Sequence, residues 1–212
     1  MFPALSVEVD GVKQDLWVVY DKWWSKASTS DSELKYDYNN RMYLSEENSA
    51  DPSKLFKPNL LGGSISFDVN LDDSGCGCVS ALYGVVMPAV NHDGDPFSYC
   101  DANRITGAWC PEFDMMEANR HAFRATGHTC DAPNALGEYN NCDRGGKCHI
   151  DVLEAGTKDY GHGPLYKINT QKPFRVEQKY HTDAAGRFVD YETFMYQEDR
   201  QLHYKLNEAG CN

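Results

Sequence analysis

The amino-acid sequence predicts an all-β protein, an antiparallel sandwich with long loops at one face. Several segments alternate polar and apolar residues, which is typical of strands with one buried face. The connections between them are rich in Gly, Asn and Asp and contain most of the eight cysteines. No heptads, internal repeats or low-complexity tracts are present. A length of 212 residues predicts a single domain that spans residues 1–212.

The predicted strands follow in chain order. Residues 64–71 alternate strictly and predict a half-buried strand. Residues 81–87 form a short continuous apolar run, which predicts a strand buried on both faces. Residues 174–180 and 187–194 alternate again on either side of the turn-like residues 183–186, and together they predict a hairpin.

Helix is expected only in residues 202–206 and in parts of residues 112–123. The longest apolar stretch, residues 81–87, is far shorter than the ~20 residues that a membrane span needs. The sequence therefore predicts no membrane partner. The formal net charge of −12, from 20 basic and 32 acidic residues, argues against nucleic acid as a partner, because such affinity depends on Lys and Arg facing phosphates.

The even number of cysteines predicts disulfides and an oxidising compartment, hence a secreted, extracellular protein. They are Cys76, Cys78, Cys100, Cys110, Cys130, Cys142, Cys148 and Cys211. A zinc site would need two complementary pairs of ligands at close spacing. Only Cys76 and Cys78 lie close together, so we expect neither a metal nor any other cofactor.

Three carboxylates lie close together in the segment after Cys110. In a strand Glu112 and Asp114 share one face, whereas Glu117 faces the other way. A β-bulge at Met115–Met116 would turn Glu117 back beside them. Retaining glycosidases use two carboxyl groups about 5–5.5 Å apart, one as nucleophile and one as acid/base. Repulsion and partial burial would raise one pKa and leave the other group ionised. The alternative is an acidic edge strand, or a helical turn, whose carboxylates are solvated.

The cluster Glu112-x-Asp114-x-x-Glu117 and its neighbours resemble the catalytic strand of glycoside hydrolase family 7. This family comprises the fungal cellobiohydrolases and endoglucanases and has a concanavalin-like β-jelly-roll fold. The cluster alone is shared with the related family 16 β-glucanases, but further landmarks follow in order over roughly residues 40–211. They are Leu60–Leu61–Gly62, Phe67–Asp68–Val69, Ala81–Leu82–Tyr83, Tyr99–Cys100–Asp101, His128–Thr129–Cys130, Cys142–Asp143 and Cys148.

The resemblance implies a role for each carboxylate: Glu112 the nucleophile, Asp114 the residue that tunes it, and Glu117 the general acid/base. It also implies a set of substrate-binding residues. These are Tyr83, Asp101 and Asn103 in the sugar subsite beside the nucleophile, His128 near the acid/base, and Trp24 as a sugar-stacking side chain. The implied disulfides are Cys100–Cys110, Cys130–Cys142 and Cys148–Cys211, with the pairing of Cys76 and Cys78 left open.

The sequence departs from the family pattern in several places. It is short relative to the family at both ends, and Met116 stands where the catalytic strand usually has Trp. The arginines that usually grip the product are not matched, because Gly137 and Glu154 stand near those places. These departures predict a shorter and more open cleft.

The predicted function is retaining, endo-acting hydrolysis of a β-1,4-linked glucan or related polysaccharide by a monomer. One alternative is a polysaccharide lyase on the same scaffold, with Tyr83 or His128 as base and Asn103 neutralising a uronate. A second alternative is a glycan-binding protein without catalytic activity. Retention of both glutamates, Glu112 and Glu117, favours the hydrolase.

Overall fold

A computed structural model describes residues 1–20, 27–87 and 97–206. By their contacts these residues form two compact units. The first contains Met1–Pro58 and Met87–Tyr99, and the second contains Asn59–Val86 and the chain from Cys100 onward. The expectation of one domain over residues 1–212 stays a prediction.

The first unit contains short antiparallel strands. They are β1 (Ala4–Val9), β2 (Val12–Val19), β3 (Ala27–Ser30), β4 (Glu33–Tyr36) and β5 (Tyr43–Ser45), followed by a 3₁₀ turn at Pro52–Lys54. The order β1-β2-β5 forms one sheet, and β3 pairs with β4. Leu16, Val18 and Val19 of β2 are fully buried and give this unit its apolar centre. Trp24 lies outside the described residues.

The second unit contains the remaining strands and a single helical turn, α1 (Val152–Ala155). The strands are β6 (Ser64–Val69), β7 (Ser80–Val85), β8 (Glu112–Ala118), β9 (Phe123–His128), β10 (Cys148–Asp151), β11 (Tyr160–Gly161), β12 (Ile168–Asn169), β13 (Phe174–Thr182), β14 (Phe188–Gln197) and β15 (Arg200–Lys205).

Two four-stranded antiparallel sheets form the body of this unit. Their strand orders are β10-β9-β8-β7 and β15-β14-β13-β6. One hydrophobic core takes side chains from both sheets, including Phe123 and Ile150 from the first sheet and Val176, Tyr191 and Met195 from the second. Since each strand alternates its side chains between two faces, each sheet buries one face and leaves the other for charged residues.

Most predicted strands are present, but their environments differ in places. The strand at residues 64–71 is β6, and the predicted hairpin is β13 and β14. The apolar run at residues 81–87 forms β7, but the prediction of burial on both faces is wrong. Among the described strands β7 is the edge of its sheet, and Ala81 and Gly84 are exposed.

Both helix expectations are wrong. Residues 202–206 belong mostly to β15, and residues 112–123 contain β8 and the start of β9. In β15 the side chains alternate between exposed and inward-facing, with Leu202 buried in the core. Hydrogen bonds to β14 complete this ladder, and tertiary pairing therefore outweighs a local apolar spacing that is also compatible with a helix.

No helix in the described part of the chain has the length and apolar character needed to cross a membrane.

Candidate active site

A β-bulge interrupts the pairing of β8 with β9. Asp114 lies opposite Thr126, and Glu117 lies opposite Arg124. Three steps along β8 therefore match two steps along β9, so β8 carries one extra residue. The pairing of β8 with β7 shifts at the same place, because Leu82 lies opposite Met116 and Tyr83 opposite Asp114. The bulge predicted at Met115–Met116 is confirmed.

The bulge decides which side chains of β8 share a face. Met116 and Ala118 lie in the hydrophobic core with Phe113 packed against it, and the carboxylates at 112, 114 and 117 point the other way. Alternation places three residues of β9 on that same side. We call this side of β8 and β9 the site face. Its residues are Glu112, Asp114, Glu117, Arg124, Thr126 and His128.

Glu112 is held by a backbone donor. The N–H of Ala102 donates to Oε2 of Glu112 at 3.0 Å. Burial, followed by the negative charge of Asp114, raises the pKa of Glu112 to about 7, against the opposing effects of the Ala102 N–H and His128. The bond from Ala102 favours the ionised carboxylate, but burial and the negative charge of Asp114 together outweigh it.

The loop that supplies Ala102 is fixed from inside. Asp101 is only 3% exposed, and its Oδ1 accepts hydrogen bonds from the backbone N–H groups of Asn103 and Ile105 at 3.0 and 3.1 Å. Its carbonyl accepts from the Cys110 N–H at 3.1 Å, and Cys110 is disulfide-bonded to Cys100. The carboxylate of Asp101 therefore anchors the turn that aims the Ala102 donor at Glu112.

Asp114 and His128 form a buried pair on the site face. Nε2 of His128 lies 3.0 Å from Oδ2 of Asp114, and Nδ1 lies 2.6 Å from the carbonyl oxygen of Asp143. Burial lowers the pKa of His128, but the hydrogen bonds to Asp114 and Asp143 and the charges of Asp114 and Glu112 raise it to about 9. Both ring nitrogens face acceptors, so His128 is an imidazolium that donates from each of them.

The loop after β9 closes over His128 because of one glycine. Gly146 has a φ of +64°, and a Cβ there would clash with Cγ2 of Thr126 and lie 2.8 Å from Cε1 of His128. The carboxylate of Asp143 accepts from the Lys147 N–H at 2.7 Å, and this contact lowers the pKa of Asp143. The loop thus brings the Asp143 carbonyl within hydrogen-bonding distance of His128.

Glu117 has a different environment from Glu112. Burial, followed by the charge of Asp114, raises the pKa of Glu117, while the positive charges of His128 and Arg124 oppose the shift. In contrast to Glu112, no backbone donor to its carboxylate is present among the described residues. The raised pKa and the lack of a backbone donor both favour the protonated form of this carboxyl group.

The structure brings some of the predicted substrate residues to the carboxylates. Tyr83 lies directly opposite Asp114 on β7, and His128 contacts Asp114 as described. Asn103 is exposed in the loop next to Ala102. Asp101 is turned into its own loop, so its carboxylate contacts backbone N–H groups there. Contact of any of these side chains with a sugar stays a prediction.

Sequence reasoning missed four contributors to the site: Ala102, Arg124, Asp143 and Gly146. The sequence could have indicated Arg124. Side chains of a strand alternate, so residues 124 and 126 lie on the same face as His128. No local pattern marks the backbone groups of Ala102 and Asp143, since their roles depend on how distant loops fold onto the sheet.

The disulfides brace the segments around the site face. The structure contains the Cys100–Cys110 and Cys130–Cys142 bonds that the family resemblance implies. Cys148 is also disulfide-bonded, and Cys211, its implied partner, lies outside the described residues. Cys76 and Cys78 are free thiols. Across the described ranges no group of three or more His, Cys, Asp or Glu side chains is arranged to hold a metal ion.

The fold and the site face together define a β-sandwich with clustered carboxylates on one sheet. The model of glycosyl hydrolase family 7 matches residues 91–210. The chain belongs to this family, and the predicted family membership is confirmed.

Curated relatives are similar over much of this chain but are longer. Endoglucanase 1 of Pyricularia oryzae is 30% identical over 177 residues, which are 70% of this chain and 41% of that protein. An endo-β-1,4-glucanase of Aspergillus oryzae is 31% identical over 171 residues, 68% of this chain and 40% of that protein. The chain therefore spans about two fifths of the length of these relatives.

Solved structures agree in fold. An endoglucanase I in complex with cellobiose has a TM-score of 0.78 at 22% identity and covers 95% of this chain and 72% of its own. A family 7 cellobiohydrolase of Daphnia pulex has a TM-score of 0.73 at 17% identity and covers 100% of this chain and 75% of its own. The predicted all-β jelly-roll fold is confirmed.

Proposed function

We propose that the protein is a retaining, endo-acting glycoside hydrolase that cleaves a β-1,4-linked glucan or a related polysaccharide. One observation carries the proposal: the bulge in β8 sets Glu112, Asp114 and Glu117 on one face, at least partly buried, together with the imidazolium of His128 and the guanidinium of Arg124. The names of the curated relatives, endoglucanase and endo-β-1,4-glucanase, support the substrate class.

In the proposed reaction Glu112 attacks the anomeric carbon of the substrate while Glu117 donates its proton to the glycosidic oxygen. The bond to the leaving sugar breaks, and a glycosyl ester forms on Glu112. Glu117, now ionised, then takes a proton from a water molecule that attacks the anomeric carbon and releases Glu112. The Ala102 N–H favours the ionised Glu112 that the first step needs.

Asp114 and His128 set the electrostatics of this exchange. The Asp114 charge raises the pKa of Glu112 and of Glu117, and the imidazolium of His128 limits that effect. His128 uses both ring nitrogens to donate, and a pKa of about 9 keeps it protonated at neutral pH. This arrangement supports a positioning role and disfavours His128 as the base of a lyase.

The remaining features of the proposal concern substrate and environment. A polysaccharide would contact Tyr83 and Asn103 on the nucleophile side, with Asp101 positioning the loop and Trp24 stacking on a sugar ring. Disulfides support secretion into an oxidising, extracellular environment. We propose a monomer that needs no cofactor.

The stereochemistry of the product tests the mechanism. If the reacting carboxyl groups of Glu112 and Glu117 lie about 5–5.5 Å apart, no water fits between nucleophile and sugar, and the first product keeps the β configuration. Proton NMR of the anomeric signals in the first minutes of turnover on a soluble β-1,4-glucan reads this directly. The α anomer appearing first would overturn the Glu112 assignment.

Two further readouts separate the alternatives. A rapid loss of viscosity with few reducing ends indicates endo-acting cleavage. Absorbance from unsaturated products on a panel of uronans would place the protein among the lyases. Saturable binding of glucan without any product would identify a non-catalytic binding protein.

A further inference from the structure

Arg124 on the site face leaves most of its hydrogen-bonding capacity unused. A guanidinium has five N–H donors, and that of Arg124 makes one long bond, from Nη2 to the Gly146 carbonyl at 3.5 Å. Its Nε is buried without a partner. Within the described residues no carboxylate forms an ion pair with it, although Glu117 and Asp151 lie opposite it on the neighbouring strands.

Two exposed arginines of the same unit behave differently. Arg175 binds both oxygens of Asp68, at 2.9 and 3.0 Å, and Arg187 binds Asp183 at 2.8 and 2.7 Å. Both are far more exposed than Arg124. At such exposed positions water would bind their N–H groups even without a carboxylate. A half-buried guanidinium without an ion pair costs more free energy than an exposed one. Such a cost is expected where the group binds a ligand.

The order of residues on the site face indicates the position of that ligand. Along β8 the carboxylates run from Glu112 through Asp114 to Glu117, and along the antiparallel β9 Arg124 is the residue opposite Glu117. Arg124 therefore lies beside the proposed proton donor, at the end of the row away from the proposed nucleophile. In a retaining hydrolase the sugar on that side of the cleaved bond is the leaving group.

We propose that Arg124 is a substrate-binding residue that donates hydrogen bonds to hydroxyl groups of the first sugar on the leaving-group side. This inference rests on the proposed function and adds a specificity determinant to it. A planar guanidinium fork can hold two neighbouring oxygens at once, which orients the leaving sugar while Glu117 protonates the glycosidic oxygen. Substrates whose leaving group is a sugar would depend on Arg124, and substrates whose leaving group has no hydroxyls would not.

The test compares two leaving groups in the same variants. We would measure kcat and KM of the wild type, Arg124→Gln and Arg124→Lys on a soluble cello-oligosaccharide and on an aryl cellobioside with an activated phenol. Arg124→Gln should lower kcat/KM on the oligosaccharide by about ten- to hundredfold, the range of a hydrogen bond to a charged group. Its rate on the aryl substrate should stay within about twofold.

The pH profile gives a second readout that a merely structural role would not produce. Since the Arg124 charge opposes the rise in the Glu117 pKa, Arg124→Gln should move the basic limb of the kcat/KM profile to higher pH. Arg124→Lys keeps the charge and should leave that limb in place, while still losing rate on the oligosaccharide because the fork is gone. Arg187→Gln, at an exposed paired arginine, is the matched control and should change neither readout.

The outcomes separate this inference from the proposed function. An active wild type whose Arg124→Gln variant loses the same factor on both substrates, or loses nothing on either, would overturn the inference alone. A folded wild type that is inactive on both substrates would overturn the proposed function and the inference with it. The ratio of the two rates within one preparation is independent of any misfolded fraction, so a poorly folding variant still distinguishes these outcomes.

Discussion

The two sheets of the second unit share one core, but the pKa values of the carboxylates on their outer faces are shifted in opposite directions. On the outer face of the β6–β13–β14–β15 sheet the hydrogen bond from Arg175 lowers the pKa of Asp68, and the hydrogen bond from Lys205 lowers the pKa of Glu192. On the site face burial raises the pKa of Glu112 and of Glu117.

The difference lies in the neighbours of each carboxylate and not in the strands. Lys205 lies 2.7 Å from Glu192 and keeps it ionised. The site face instead concentrates three acids beside the imidazolium of His128 and the guanidinium of Arg124, and the pKa values of Glu112 and Glu117 are raised there. One face pairs its carboxylates with cations and the other buries them close together, and single substitutions at matched positions can measure this contrast.

The largest effect is expected from removing the proton of Glu117. Glu117→Gln keeps the shape but cannot protonate a glycosidic oxygen, so the rate on substrates with poor leaving groups should fall by about 10²–10⁴-fold. With an activated aryl glycoside the first step should persist. Steady-state rates on both substrate types check this.

Glu177→Gln on the outer face of the other sheet is the matched control for Glu117→Gln and should leave both rates unchanged. Equal losses by Glu117→Gln on the two substrate types would contradict the acid/base assignment.

The next largest effect is expected at the buried Asp114–His128 pair. Removing one member of a buried ion pair costs about 3–5 kcal/mol, so His128→Gln should lower the free energy of unfolding by that order. The Asp114→Asn/His128→Gln double variant should recover part of the loss. By contrast, His203→Gln, whose partner Glu192 lies on the exposed face, should cost less than about 1 kcal/mol.

The Asp114–His128 pair also predicts how the free energy of unfolding changes with pH. The pKa of His128 is raised from 6.5 to about 9 in the folded state. Its stabilising contribution is therefore fully present below about pH 6.5 and is lost as the pH rises through about 9. Denaturant unfolding of wild type and His128→Gln at pH 6 and pH 10 measures this, and a difference that grows with pH would contradict the imidazolium assignment.

At Glu112 a substitution is expected to raise the free energy of unfolding, by a smaller amount than the loss at His128. Because its pKa is raised from 4.5 to about 7, the ionised group destabilises the fold at pH 8. Glu112→Gln should then stabilise the protein by about 1–2 kcal/mol, after a discount for partial exposure, while abolishing activity. The gain should disappear below about pH 4.5, where the wild-type group is protonated in both states.

Thermal or denaturant unfolding at pH 4 and pH 8 is the measurement for Glu112→Gln. Glu192→Gln on the other sheet is the matched control, and its effect at pH 8 should be neutral or destabilising, because Glu192 has a lowered pKa. A destabilised Glu112→Gln at pH 8 would show that the Ala102 contact outweighs the cost of burying the charge.

The smallest effect is expected at Arg175 and Asp68. This pair is bidentate but exposed, so Arg175→Gln should cost less than about 1 kcal/mol, and the cost should shrink as salt is added. Unfolding at low and high ionic strength tests it. A loss of several kcal/mol would mean that the outer face is as tightly coupled as the site face.

Prediction from sequence succeeded where the signal was local. Period-two alternation located β6 and the β13–β14 hairpin, and the bulge that would place Glu112, Asp114 and Glu117 on one face is present. It failed at β7, whose apolar run lies at the edge of its sheet among the described strands, and at residues 202–206, whose apolar spacing is also compatible with a helix. In both segments the place of the strand in its sheet, and not the local sequence, set the outcome.

The sequence by itself determined several strands, the family and the carboxylates that share β8, because alternation and motif spacing can be read along the chain. Only the tertiary structure decided the protonation chemistry of the site. The Ala102 N–H donates to Glu112, the Asp143 carbonyl accepts from His128, and the charge of Arg124 acts on Glu117, each from another segment. Burial and charge act through space, and for that reason the pKa of Glu112 and the donor role of His128 depend on how the loops fold onto the sheet.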